Sequence, residues 1–220
     1  MVELEDKPWI TELLAYSDFR GSEYNFGNNF VWRRIFRLKV ARYKDFYIVK
    51  RGKDNDSEFI FPAGRGDAKE VIAVLSDYAS EMGYPLRFAS SSKTTAEMIA
   101  GLYGSKVKIE PIRDAFDYIY NAEDLATLKG KKYHSKRNHV NRFMENNWTI
   151  EPITAENIPE CITMNEQWCI ENLCKGEHVP EDEQDEEFKS KRDEFCVVKC
   201  SFKYFSELDY RGLLLRVDGK

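Results

Sequence analysis

With 220 residues, 42% hydrophobic and 14% aromatic side chains, the chain can bury one large core or two small ones and is too apolar for intrinsic disorder. A net charge of −5 argues against a bulk nucleic-acid binder, yet Lys129, Lys131, Lys132, Lys136, Arg137 and Arg142 form a local basic run without an acid, and acids gather at Glu181–Glu183 and Asp185–Glu187. No apolar run approaches the roughly 20 residues that span a bilayer, and the acidic start MVELEDKPWI is unlike a secretory leader, so the chain reads as soluble and cytoplasmic.

The first elements follow in a readable order. Leu13 to Tyr16 reads as the end of a short helix, followed by a Gly/Asn-rich loop through Gly21, Gly27, Asn28 and Asn29. Arg34–Arg42 and Phe46–Arg51 read as strands joined at Tyr43-Lys44-Asp45, with Phe36, Leu38 and Val40 alternating as in a half-buried strand. Phe59–Phe61 is a third strand stopped by Pro62, and Val71, Val74, Leu75, Tyr78 and Met82 mark a helix ended by Gly83. Pro85–Ser90 is a fourth strand. Thr94 and Glu97 form a capping box for a second helix closed by Gly104, and Val107–Glu110 and Phe116–Tyr120 read as two more strands. Helix, three strands, helix, strand, helix, two strands is the order of the GNAT acyltransferase fold, an α/β (α+β) class with mostly antiparallel sheets flanked by helices.

A second unit of the same kind opens near residue 120, giving domains at 1–120 and 121–220. Asp124–Asn146 is helical in pattern, Trp148–Pro152 is a strand, and Thr154 caps a helix to about Cys174. A helix carrying Phe195, Val198, Phe202 and Phe205 precedes the strand Gly212–Val217. Asp218-Gly219 is a strong hairpin turn, and a hairpin needs a returning strand. The second domain therefore reads as incomplete at Lys220, with a sheet edge that invites self-association.

Five cysteines, Cys161, Cys169, Cys174, Cys196 and Cys200, fall late in the chain at helical spacing and read as reduced thiols. With three histidines, His134, His139 and His178, none at ligand spacing to them, no metal site is expected. No catalytic constellation can be assembled, and the acids of 181–187 read as a solvated loop lacking calcium-loop spacing. The turn Phe61-Pro62-Ala63-Gly64-Arg65-Gly66-Asp67 leads into a helix where an acyl carrier's pyrophosphate could rest on free amides. Asp67 and Glu70 read instead as a cap that fills those amides with negative charge, which disfavours coenzyme A in the first domain.

The basic run carries the sharpest functional signal. As a helix it lines up Lys132, Lys136 and His139, and cations at this spacing repel by a few tenths of a kcal/mol per pair unless anions compensate. Two readings stand: compensation by the acids at 181–187, or contact with phosphates of RNA or a lipid headgroup, with Tyr133 or His139 stacking on a base.

Asn29-Phe30-Val31-Trp32-Arg33, Phe61-Pro62-Ala63-Gly64, Arg113-Asp114 with Asp117-Tyr118, and above all Lys129-Gly130-Lys131-Lys132-Tyr133-His134-Ser135-Lys136-Arg137-Asn138 resemble a bacterial family of uncharacterised proteins. That family is grouped with the C-terminal domain of phosphatidylglycerol lysyltransferase, and the basic string looks more distantly like a helix of Fem-type peptidoglycan aminoacyltransferases. The resemblance implies tandem GNAT-like domains and transfer of an amino acid from aminoacyl-tRNA to an amine or a lipid hydroxyl. Catalysis would then rest on positioning and oxyanion stabilisation once the second domain is complete. Carried onto this chain, it makes Lys131, Lys132, Lys136, Arg137 and Asn138 the candidate anion-binding residues. The membrane-spanning part of the lysyltransferase has no counterpart here. The expected function is an aminoacyl-tRNA-dependent aminoacyltransferase, with aminoacyl-tRNA as co-substrate and no other cofactor. The alternative is a non-enzymatic GNAT-like module that binds an anionic partner, and a coenzyme A-dependent acetyltransferase is the third class.

Overall fold

The computed structural model describes residues 1–173 and 186–219. The chain forms two compact units, Met1–Ala115 and Phe116–Lys220. Both are mixed α/β, and antiparallel pairing dominates their sheets.

In the first unit, α1 (Lys7–Leu14) and α2 (Phe26–Trp32) precede β1 (Lys39–Tyr43), β2 (Phe46–Arg51) and β3 (Glu58–Gly64). Then come α3 (Ala68–Glu81), the two-residue strand β4 (Phe88–Ala89) and α4 (Lys93–Tyr103). The sheet order is β1-β2-β3-β4, antiparallel except for the parallel β3–β4 pair. One sheet face packs Phe46, Ile48 and Phe59 against Val71, Leu75 and Ala79 of α3, while Phe61 meets Ile72 and Ile99. Burial of side chains such as Val71, Ile72 and Leu75 contributes about 1.5–3 kcal/mol each, so α3 is held by its docked face more than by intrinsic propensity. The opposite face meets α1 and α2: the Trp9 and Tyr47 rings lie edge to face at 5.8 Å, and buried Asn29 donates to the Tyr47 hydroxyl at 3.1 Å.

Several expectations change here. The Gly/Asn-rich loop contains α2, capped by Asn25, whose side chain accepts from the Asn28 amide at 3.0 Å, and braced by stacked Phe26 and Phe30. Arg34–Leu38 is not strand; the chain turns there through Arg37 at φ 52°, and β1 starts at Lys39. Phe36 therefore leaves the strand pattern and stacks on Trp32. Pro62 does not stop β3, because it falls where the β2–β3 register shifts and no ladder N–H is required of it. The strand at Pro85–Ser90 shrinks to Phe88–Ala89, since that is all that pairs with β3. The α4 cap is Ser92, which accepts from the Thr95 amide, rather than Thr94 with Glu97. Among the described residues Val107–Glu110 and Phe116–Tyr120 pair with no strand, and Tyr118 and Ile119 are 81% and 92% exposed, so the alternating pattern lacks a neighbour there that would make it sheet.

The second unit runs α5 (Ala122–Thr127), α6 (His134–Phe143), β5 (Trp148–Pro152), α7 (Ile158–Leu173), α8 (Glu186–Lys203) and β6 (Leu213–Val217). β5 and β6 pair antiparallel from Trp148↔Val217 to Pro152↔Leu213. Arg216 reaches from β6 to Glu151 at 2.9 Å and to Glu160 of α7 at 2.6 Å, tying strand to helix. α7 and α8 lie together, with Lys199 on Glu166 at 3.0 Å. Asp218 and Gly219 both have positive φ, as a type I′ turn requires.

Candidate functional site

The basic run is not one continuous helix. α5 ends at Leu128 with a left-handed φ of 49°, and Gly130 at φ 93° turns the chain again before a single 3-10 turn over Lys131–Tyr133 leads into α6. A non-glycine residue at 130 would be strained in that conformation. The turn leaves helix-end carbonyls without intrahelical partners. Arg137 meets one of them from α6: its Nη1 donates to the Leu128 carbonyl, and at 2.8 Å to the Gly130 carbonyl, which also accepts from the Tyr133 amide at 3.3 Å.

Asp124 holds the other side of the corner. Its Oδ2 accepts from Lys132 Nζ at 2.8 Å and from the Tyr133 hydroxyl at 3.2 Å. The Lys132 bond, then the Tyr133 bond, holds the Asp124 carboxyl below its ordinary value, and Asp124 raises Lys132 in return. Tyr133 is only 8% exposed, so its ring fills the corner rather than standing free for a base.

The sequence-derived set therefore divides. Lys132, Tyr133 and Arg137 bind protein groups that shape the corner, and Asn138 meets the His134 ring at 3.3 Å one helical turn away. The side chains of Lys131, Lys136 and His139 are exposed, with no hydrogen bond or ion pair among the described residues, and the same holds for the side chains of Lys129 and Arg142. These cations around one helical corner make a surface suited to phosphate oxygens. Cys174, His178 and the acids from Glu181 to Asp185 lie outside the described residues, while Glu186 and Glu187 open α8. Cys161 and Cys196 are free thiols among the described residues, with the Cys161 thiol pushed up by burial first and Glu160 second. Among the described residues no cluster of His, Cys, Asp and Glu could hold a metal ion.

The turn between β3 and α3 is filled by the protein itself. The Gly64 amide donates to Ser17 Oγ at 2.7 Å, the Arg65 amide to the Asp45 carbonyl at 3.0 Å, and the Lys69 amide to Asp67 Oδ1 at 2.9 Å. Gly64, at φ 153°, lies where a Cβ would collide with the Asp45 carbonyl oxygen, so this glycine serves the hairpin contact. Glu70 does not close a capping box on Asp67; Lys44 at 2.5 Å and the Tyr43 hydroxyl at 3.1 Å take its carboxylate.

Sequence reading passed over a cavity of about 270 Å³ in the first unit, lined by α2, the turn after it and the sheet. The signal for α2, which forms one wall, is Asn25 as cap with Phe26 and Phe30 one turn apart, and the Gly/Asn composition of the segment masks it.

Among solved structures, a conserved protein of unknown function from Bacteroides thetaiotaomicron VPI-5482 is similar, with 29% identity, 100% of this chain and 71% of that chain covered, and a TM-score of 0.87. No curated protein matches the chain. The family described as phosphatidylglycerol lysyltransferase, C-terminal, matches residues 14–220, from α1 through the basic corner to the end of β6. No helix among the described residues is long and apolar enough to cross a membrane. With its helix-flanked, mainly antiparallel sheets and a family match over nearly its whole length, the chain belongs to the phosphatidylglycerol lysyltransferase C-terminal family, a GNAT-like fold.

Proposed function

We propose that the protein is an aminoacyltransferase-like protein that takes its amino acid from aminoacyl-tRNA, holding RNA phosphates on the exposed cations of the α5–α6 corner. The observation that carries this reading is the set Lys129, Lys131, Lys136 and Arg142, whose side chains are exposed and without partners among the described residues around a corner whose shape Arg137 and Asp124 fix. Cations kept close together repel, and an external polyanion relieves that cost. The family match supports the transferase class. The element order supports a duplicated fold, since α1–α2–β1 in the first unit and α7–α8–β6 in the second both run helix, helix, strand. Chemistry of this kind rests on positioning the ester and acceptor and on stabilising the tetrahedral oxyanion. The acceptor class is an amine or a lipid hydroxyl.

The test is binding of aminoacyl-tRNA at low salt, followed by transfer to amine and lipid acceptors. Affinity in the micromolar range or tighter is expected, falling steeply with salt. Lys131→Glu with Lys136→Glu is expected to weaken it by about tenfold or more, since each lost phosphate contact removes part of the counterion term. No binding at low salt overturns the reading. The same cations also suit a module that binds RNA or an anionic lipid headgroup without catalysis; binding with no transfer to any acceptor selects that reading, and transfer rejects it.

A further inference from the structure

We propose that the cavity between α2 and the β1–β3 sheet is a binding site for a small organic cation, a primary amine or guanidinium compound with a short apolar body. Glu23, Asn28, Trp32, Phe36, Val49 and Arg51 are the lining residues that decide its chemistry. All its lining lies between Ser22 and Ile60, so it stands apart from the RNA reading.

Size comes first. At about 270 Å³ the cavity falls just below the roughly 300–1,000 Å³ of sites for drug-sized ligands, which selects a smaller molecule.

Charge comes second. The Arg51 guanidinium is matched by Glu58, Nε to Oε2 at 2.9 Å. The half-buried Glu23 carboxylate has no hydrogen bond or ion pair among the described residues, so the unmatched charge in the lining is negative. A partly desolvated carboxylate is unfavourable alone and is stabilised by an incoming cation. An anion would meet Glu23 unshielded.

The aromatic wall agrees with that sign. Trp32 and Phe36 both line the cavity and stack on each other at 5.1 Å and 21°, and the face of an aromatic ring attracts a cation electrostatically. Val49 adds apolar surface for the ligand's body. Asn28 uses its backbone amide to close the Asn25 cap, which leaves its carboxamide to accept from an ammonium group.

The hydrogen bond that Glu23 gives the fold is through its backbone: its carbonyl accepts from Asn29 Nδ2 at 2.7 Å, and among the described residues its carboxylate accepts none. Gly21 fits the same picture. Its φ of −66° needs no glycine, yet a Cβ there would sit 2.6 Å from Glu23 Oε2. The absent side chain leaves room for the carboxylate where it lines the cavity.

The experiment is calorimetric titration of the full chain at neutral pH and low salt with isoamylamine, phenethylamine and agmatine, and with isovalerate as the anionic control. At least one amine is expected to bind with Kd below about 1 mM, and isovalerate is expected not to bind. Glu23→Gln is expected to weaken amine binding by about tenfold or more with the melting temperature unchanged, because only the carboxylate is altered. Gly21→Ala, which displaces the carboxylate without straining the backbone, is expected to weaken it too. The proposal is overturned if no amine binds up to about 10 mM, if Glu23→Gln binds as the parent does, or if isovalerate binds as tightly as the amines.

Discussion

Arg137 shows how a residue's chemistry is legible while its employment is not. The sequence places it in the most basic stretch of the chain, where phosphate contact is the natural expectation. In the fold its guanidinium closes the Leu128 and Gly130 carbonyls, a use that exists only because Leu128 and Gly130 break the helix that the 124–146 pattern predicts. Tyr133 follows the same logic: its aromatic ring suggested stacking, but the break buries it on Asp124. A single 3.6-residue periodicity cannot report a left-handed turn, so partners across that turn stay hidden. Arg137→Met is therefore expected to destabilise the protein by about 1–2 kcal/mol in urea unfolding, as loss of charged hydrogen bonds, one of them to the part-buried Leu128 carbonyl, does. Lys136→Ala, at an exposed position without a partner, should change stability by less than about 0.5 kcal/mol. Equal unfolding midpoints for Arg137→Met and the parent would remove the structural role and return Arg137 to the RNA surface.

Among elements, those whose signal is local and strong were readable: β2, α3, the Gly83 stop, β5 and β6 fall where alternation, apolar spacing and a terminal glycine put them. Those that depend on a neighbour were not. α2 hides behind its glycine and asparagines because tertiary packing of Phe26 and Phe30 outweighs their weak helix propensity. Phe116–Tyr120 alternates like a strand yet pairs with none in the described structure. The β3–α3 junction carries the clearest consequence. Gly64 and Gly66 could suggest a phosphate cradle, but Ser17, Asp45 and Asp67 already accept from the amides of Gly64, Arg65 and Lys69. Asp67 and Glu70 also put negative charge at the α3 N-terminus, where the helix dipole would otherwise favour an anion. Acetyl-coenzyme A is therefore expected to leave the melting temperature unchanged even at about 100 times a typical micromolar Kd, a level where true binding would add about 2.7 kcal/mol. A clear rise would show that this junction rearranges to admit pyrophosphate.

Across the whole molecule, family membership was legible from short strings spread along the chain, because they mark both the Phe61–Gly64 strand end and the basic corner, and the family match spans both. What joins the parts energetically is less visible in sequence: cross-element carboxylates, three of which are held below their ordinary value by a cation. Glu70 links α3 to the β1–β2 turn through Lys44, Asp124 links α5 to the basic corner through Lys132, and Glu160 links α7 to β6 through Arg216. In each case a hydrogen bond from the cation is the largest cause holding the carboxyl below its ordinary value, 4.5 for Glu70 and Glu160 and 3.8 for Asp124. A depressed carboxyl binds fewer protons in the folded chain than in the unfolded one, so its stabilisation is fully present above the ordinary value and is lost as pH falls through the lower folded value. Urea midpoints should accordingly stay level from pH 7 to about 5 and then fall as pH drops below the ordinary carboxylate range. All three carboxylates keep solvent contact, so the acid-side loss should shrink in high salt, least for the Arg216 pair, whose guanidinium is half-buried. Arg216→Met, which releases Glu160, should lower the midpoint at pH 7 and flatten part of the acid limb. A midpoint that rises between pH 5 and 3 would mean that these pairs do not set the acid response and that repulsion among unpaired acids governs it instead.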